Sequence, residues 1–247
     1  MKLIIGNRCF SPKLLTSFLA LLFLSLFISL GFWQLDRAEY KRNLYSDFES
    51  RQSAAAINLD QEKTNKLDKK ELIWRHVNAS GEFLEQYQIL LDNQVYDTKA
   101  GYFVYTPFQL ANSNKIVLVN RGWLLANSDR SISPDYVLTS GLVNIEGVAK
   151  ETPKTGLLLK DLPPEKVNEN TYRVQRIDID ELSELTKKDL LAYIFRLEPE
   201  SDYGYTRKWQ LPGSGEDTHY GYAFQWFSFA AALIVIYLVL NIKKIEE

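Results

Sequence analysis

Residues 218–240, THYGYAFQWFSFAAALIVIYLVL, hold no charged side chain, and the next cation is Lys243. A helix rising about 1.5 Å per residue needs about this length to cross a hydrocarbon layer of about 30 Å. The stretch predicts a transmembrane helix. Its two ends differ: His219, Tyr220, Tyr222, Phe224, Gln225, Trp226 and Phe227 crowd the first, whereas residues 233–240 are nearly all aliphatic. An aromatic belt at the headgroup level accounts for the rings. It does not account for His219. At helical spacing His219, Tyr222, Ala223, Trp226 and Ala230 share one face, so an imidazole stands over a ring-lined surface with small residues below it. Two readings stay open: a surface that admits a flat apolar ligand, or an interfacial histidine bonded to headgroups or loop carbonyls.

A second apolar run covers residues 14–35, preceded by Lys2, Arg8 and Lys13. It is longer than the core of a cleaved signal and ends in GFWQLDR without a small-residue cleavage pattern, so it is expected to remain as an anchor. The expected organisation is a cytoplasmic N-terminus (1–13), a span (14–35), an exoplasmic domain (36–217), a second span (218–240) and a cytoplasmic C-terminus (241–247). Cations flank both spans on both sides, so charge gives only a modest bias to this orientation. Either orientation brings Gly31, Phe32, Trp33 and Gln34 to the same leaflet as His219, Tyr220, Gly221 and Tyr222. Trp33, Arg37 and Lys41 recur every four residues and form one stripe. It can meet lipid phosphates, a partner helix or the propionates of a porphyrin.

The region between the spans is long enough for one domain with its own core. A formal charge of -2 gives no basic footprint, which argues against nucleic acid as a partner. Cys9, the single cysteine, rules out an intrachain disulfide or a thiolate cluster. Residues 38–50 are charged and continue the first helix outward; 59–72 reads as an exposed helix or mobile connection. Strands are expected at 72–80, closed by a turn at Gly81 and Glu82, and at 88–91, 101–108, 115–119, 142–148, 172–177 and 190–197. Residues 152–170 carry three prolines and read as a surface loop. Asp178 or Asp180 is placed to cap a helix whose last turn carries Lys187 and Lys188. The fold expected is α+β: two transmembrane helices flanking one antiparallel β-rich domain with one or two helices.

No catalytic constellation emerges. The histidines His76 and His219 lie far apart, and the chain has no Gly-x-Ser-x-Gly elbow, His-Glu-x-x-His helix, Walker loop or Gly-x-Gly-x-x-Gly fingerprint. Asp178 and Asp180 are structural in spacing, and His76 alternates with apolar residues as a cross-strand or surface residue would. Asn120-Arg121-Gly122-Trp123 closes a short apolar strand with an arginine beside an indole, a structural arrangement first and a ligand contact second. Binding is expected rather than catalysis.

Four stretches in order resemble the signatures of the Surfeit locus protein one family: 31–37 with Lys41, 101–108, 117–123 and 219–230. Together they cover nearly the whole chain. The resemblance implies an assembly factor, not an enzyme, for haem-copper cytochrome c oxidase. It would take haem A as transient cargo and help place it in subunit I. Cytochrome c oxidase subunit I, haem A synthase and membrane lipid are the partners implied. The family's histidine matches His219, its aromatic neighbours match Tyr222 and Trp226, and its first-span residues match Trp33, Gln34 and Arg37. The resemblance implies His219 as an axial ligand to haem iron, Tyr222 and Trp226 against the macrocycle, and Arg37 on a propionate. Tyr220 departs from the leucine-like residue that often follows this histidine. Lack of an Arg-rich, Ser-rich transit peptide points to a bacterial inner membrane, with the soluble domain periplasmic. Two other readings stand beside this one: an oxidase-binding scaffold without haem, and a membrane-anchored enzyme with an exoplasmic site.

Overall fold

The computed structural model describes residues 3–5, 8–61, 68–130, 132–154, 162–209 and 213–244. It divides into two units, one of 1–49 with 211–247 and one of 50–210.

The first unit is a helical hairpin. Helix α1 (Leu14–Ser53) follows two short strands, β1 (Leu3–Ile5) and β2 (Arg8–Phe10). At about 1.5 Å per residue its 40 residues reach about 60 Å, twice the hydrocarbon thickness, so the charged outer half extends the apolar span. Leu14, Leu15, Phe18, Leu21 and Leu26 are all exposed on the protein, as are Phe224, Val235, Val239 and Leu240 of the returning helix (Glu216–Asn241). The apolar part of α1 and most of the returning helix are long and apolar enough to cross a membrane, where lipid would solvate their side chains while the backbone satisfies itself. Both tails meet beyond the helices: β2 lies between β1 and a last strand at Ile242–Lys244, each pairing antiparallel.

The second unit is a curled sheet. Its strands are β3 (Ile57–Asn58), β4 (His76–Phe83), β5 (Gln88–Tyr96), β6 (Lys99–Leu110), β7 (Ile116–Leu125), β8 (Val143–Lys150), β9 (Glu165–Lys166), β10 (Thr171–Val174) and β11 (Leu190–Leu197). Two short helices, α2 (Lys69–Leu72) and α3 (Ile179–Thr186), complete it, so the returning membrane helix is α4 and the last strand β12. Neighbour order is β3-β4-β8-β11-β7-β6-β5-β10-β9, and β4 also pairs with β6. That extra pairing closes β4, β8, β11, β7 and β6 into a ring. It is possible because β6 is long: Lys99 to Tyr105 pairs with β5, leaving Phe108 to Leu110 for β4. At the seam a Cβ on Gly81 would lie 2.0 Å from the Gln109 carbonyl oxygen, so this close approach requires glycine. Most pairings are antiparallel; β11 runs parallel to β7, β10 to β5 and β3 to β4. Both outer edges are two-residue strands, which leaves little unpaired backbone.

Three apolar clusters fill the interior, the smallest around Leu90, Tyr102 and Val104. Of the two larger, one gathers Val77, Phe83, Phe108, Val117, Val119, Ile145 and Phe195; the other Ile89, Tyr105, Leu118, Leu182 and Ile194. Asp178 caps α3, accepting from the Asp180 and Glu181 amides, as the sequence suggests. The Glu181 amide, then the Arg176 guanidinium, hold its carboxyl below the usual aspartate range. Lys187 sits at the C-cap in a left-handed conformation, so it and Lys188 lie just past the helix whose last turn they were expected to occupy.

Several boundaries move. The strand expected at 72–80 starts at His76, because Leu72 ends α2 and Trp74 takes φ 71°, and it runs through Gly81 and Glu82 where a turn was expected. β5 passes through Asp92 and Asn93 as a bulge, with Asn93 at φ 59°. Leu59 is 2% exposed and belongs to the core, not to an exposed connection. Residues 62–67 of that connection, and 155–161 of the proline-rich loop, lie outside the described residues.

Candidate functional site

The hairpin seam is built from small residues. Gly31, Gln34 and Ala38 are the buried positions of α1 at this level, spaced three and four apart on one stripe; Ala223 and Ala230 are buried on α4. Small side chains let helix backbones approach closely. Contacts climb the seam in antiparallel order. Ser17 Oγ lies 2.6 Å from Tyr237 Oη. Phe27 stacks on Trp226 with centroids 5.8 Å apart and sits 6.0 Å from Phe229. Phe32 meets Phe227 edge-on at 5.5 Å. At the outer end, His219 Nδ1 lies 2.7 Å from Gln34 Oε1.

The residues singled out by sequence fall into three places. His219 is half-buried and held against α1 by Gln34, which is 9% exposed. Trp226 lies inward along the same helix, its indole already engaged by Phe27 and Phe229. Trp33 and Tyr222 are open, at 56% and 49% exposure. Arg37 is exposed, its guanidinium 5.0 Å from the Tyr40 ring centroid. Sequence reasoning matched Gln34 to a motif but gave it no task. The signal was present: a lone amide on the stripe Gly31–Ala38, at a helical level that must meet His219.

In the sheet unit, Arg121 is the largest fully buried side chain, 1% exposed. β7 does not stop there, as expected from sequence, but continues to Leu125; Arg121 is the bulge residue, since Val104 pairs with Gly122 and Tyr105 with Asn120. Its Nε donates to the Tyr203 carbonyl at 2.7 Å, one terminal nitrogen to Glu85 Oε1 at 2.9 Å, and the other to the Val137 carbonyl at 3.2 Å and Thr139 Oγ1 at 3.1 Å. Phe83 lies 4.5 Å below the guanidinium. Every donor serves the fold, so the structural reading of this motif holds. His76 lies on β4, where Nδ1 is 3.1 Å from Glu198 Oε1. Among the described residues no group of three His, Cys, Asp or Glu side chains could hold a metal ion.

Lys150 is a strained charge in the same unit. Its Nζ sits 2.6 Å from the Trp74 ring centroid. Burial, with repulsion from Arg196 and a smaller opposing pull from Glu151, lowers its pKa to about 7. The unfolded chain keeps this proton to the ordinary lysine range. Between about pH 7 and about pH 10 the unfolded state therefore binds more protons, and this group makes stability rise with pH. Lys150→Met is expected to melt above wild type near pH 7 and to converge with it toward about pH 10. Melting curves that stay parallel across that range would contradict the assignment.

Fold and site together define a protein with two helices long and apolar enough to cross a membrane, whose hairpin presents one imidazole held between helices, and whose other unit is a ring-closed β domain. The chain belongs to the SURF1 family, the Surfeit locus protein one family, whose model matches residues 21–231. It is similar to SURF1-like proteins of Rickettsia conorii, 27% identical over 230 residues covering 91% of this chain and 90% of the relative, and of Rickettsia prowazekii, 29% identical over 230 residues covering 90% and 88%. It also resembles the cytochrome oxidase assembly protein SHY1 of Saccharomyces cerevisiae, 29% identical over 131 residues, 52% of this chain and 32% of that protein.

Proposed function

We propose that this protein is an assembly factor for haem-copper cytochrome c oxidase that receives haem A as transient cargo and assists its insertion into subunit I. Family membership and the name of the yeast relative support the assembly role. The observation that carries the cargo reading is His219: an imidazole fixed through one nitrogen at the outer end of an apolar, ring-rich helix pair. The donor set fits an iron porphyrin. His219 offers one axial nitrogen, Tyr222 and Trp33 offer open ring faces, and the exposed Arg37 is a partner for a propionate. Trp226 contributes what Phe27 and Phe229 leave open of its indole. No cysteine, and no methionine other than Met1, is available to the chain as a second soft ligand, apart from Cys9 before the first span. One protein ligand suits cargo that must leave. Haem A synthase as donor, subunit I as acceptor, lipid as the surrounding partner, and a bacterial inner membrane with the β domain in the periplasm complete the reading; the Rickettsia relatives are bacterial.

The test is an absorption spectrum of the detergent-purified protein from cells that make haem A, wild type beside His219→Ala. A haem A band in wild type, reduced at least about tenfold in the variant, is expected for loss of the iron ligand. If neither protein carries haem while oxidase assembly still needs the wild type, the protein acts as a scaffold through its exposed aromatic residues.

A further inference from the structure

We infer that Gln34 fixes the tautomer of His219, placing the proton on Nδ1 and leaving the Nε2 lone pair as the nitrogen offered for coordination. This rests on the proposed haem-handling role for its consequence; the tautomer rests on the contact, with the Gln34 amide presenting its oxygen to the ring. An amide oxygen has lone pairs and no proton, so at 2.7 Å Gln34 Oε1 must accept and Nδ1 must donate. A neutral imidazole with its proton on Nδ1 carries its lone pair on Nε2. The described residues make no hydrogen bond to Nε2. Gln34 is buried at a seam lined by Gly31, Ala38 and Ala223, so water is poorly placed to take over as acceptor. In water an imidazole favours the opposite tautomer, with the proton on Nε2, which would mask the ligand nitrogen.

The choice of an amide has a second consequence. A carboxylate in this place would pull on the Nδ1 proton and make Nε2 a stronger donor to iron, as in histidine–carboxylate pairs at resident metal sites. A neutral acceptor orients the ring without that push. Gln34 is thus a positioning residue that sets which nitrogen binds and keeps the bond weak enough for release.

The chain has two histidines, so ring-15N-histidine labelling of the full-length protein in micelles yields two imidazole spin systems, and His76→Gln assigns them. In wild type, His219 is expected to show a protonated Nδ1 and an unprotonated Nε2. Gln34→Leu should move the proton to Nε2 or average the two sites, and Gln34→Glu, which keeps an acceptor, should retain Nδ1–H. Nε2–H in wild type, or an unchanged tautomer in Gln34→Leu with helix content preserved, overturns the inference. Titration with haemin follows: Gln34→Leu is expected to bind about 10- to 100-fold more weakly, and Gln34→Glu to release it more slowly than wild type. Equal affinity in Gln34→Leu and wild type also overturns the positioning role. Failure of wild type to bind haemin at all sinks the haem-handling reading instead, and the nitrogen shifts still decide the tautomer.

Discussion

Arg121→Leu is expected to lower the melting temperature of the β domain by on the order of 10 °C, or to prevent its folding. Leucine fills much of the volume but leaves Glu85, whose side chain is 15% exposed, without its cation. It also strands the carbonyls of Tyr203 and Val137, which accept from the guanidinium. Removing one partner of a buried pair costs about 3–5 kcal/mol, and about 2–4 °C accompanies each kcal/mol in a domain of this size. The loss is not confined to the pair. Val137 and Thr139 belong to the connection between β7 and β8, and Tyr203 to the segment after β11, so one guanidinium ties two loops to the sheet. Arg121→Lys keeps the charge but lacks the planar fork that reaches these acceptors at once, and should fall between wild type and leucine. Thermal melting of the full-length protein in detergent, followed by near-ultraviolet circular dichroism, measures both. A drop below about 2 °C for leucine would show that the network is dispensable.

This network also marks where sequence reasoning stopped. Asn120 to Trp123 is conspicuous as residues, and a guanidinium beside a ring is the correct chemistry. The ring, however, belongs to Phe83 on β4, and the carboxylate to Glu85, both far away in sequence. Nothing local names them. The two apolar helices and the outward continuation of α1 were legible because a long helix shows itself in uninterrupted composition. Most strands were legible as segments but not as ends: Gly81 and Asn93 are turn residues by habit, and here one serves a close approach and the other a bulge inside continuous strands. Ring closure was not legible at all. It depends on β6 exceeding β5 in length enough to reach β4, a tertiary fact carried by no periodicity. In the hairpin, helical spacing puts His219, Tyr222, Ala223, Trp226 and Ala230 on one face; four of these turn to the other helix, whereas Tyr222 stays open at 49% exposure. That face turned out to be largely the helix seam, where Ala223 and Ala230 are buried and Trp226 stacks on Phe27. Gln34 was matched to a motif and placed at the level of His219 but given no task, because a single amide has no pattern of its own until its partner is known.

Gly31→Leu is expected to reproduce the loss caused by Gln34→Leu without touching Gln34 or His219. A Cβ at position 31 would lie 2.6 Å from two carbons of the Phe227 ring, closer than real Cβ atoms come. An alanine could be met by a turn of that ring. Leucine cannot, since its branch needs the volume the ring occupies, and the two helices must separate at this level or Phe227 must leave the seam. Gln34 lies one turn further out on α1, and its 2.7 Å contact with His219 does not survive a displacement of even 1 Å within hydrogen-bonding limits. The imidazole then loses the acceptor that Gln34 supplies and reverts to the tautomer that masks Nε2. Haemin affinity should fall by about tenfold or more, while the melting temperature of the β domain stays at the wild-type value. Specificity comes from the compensating change. Phe227→Ala opens the space that leucine requires, so the double variant should regain both the Nδ1–H signal of His219 and most of the affinity, a coupling that independent effects would not show. If Gly31→Leu binds haemin as wild type does, close helix packing does not position His219, and the geometry of the seam is irrelevant to the cargo.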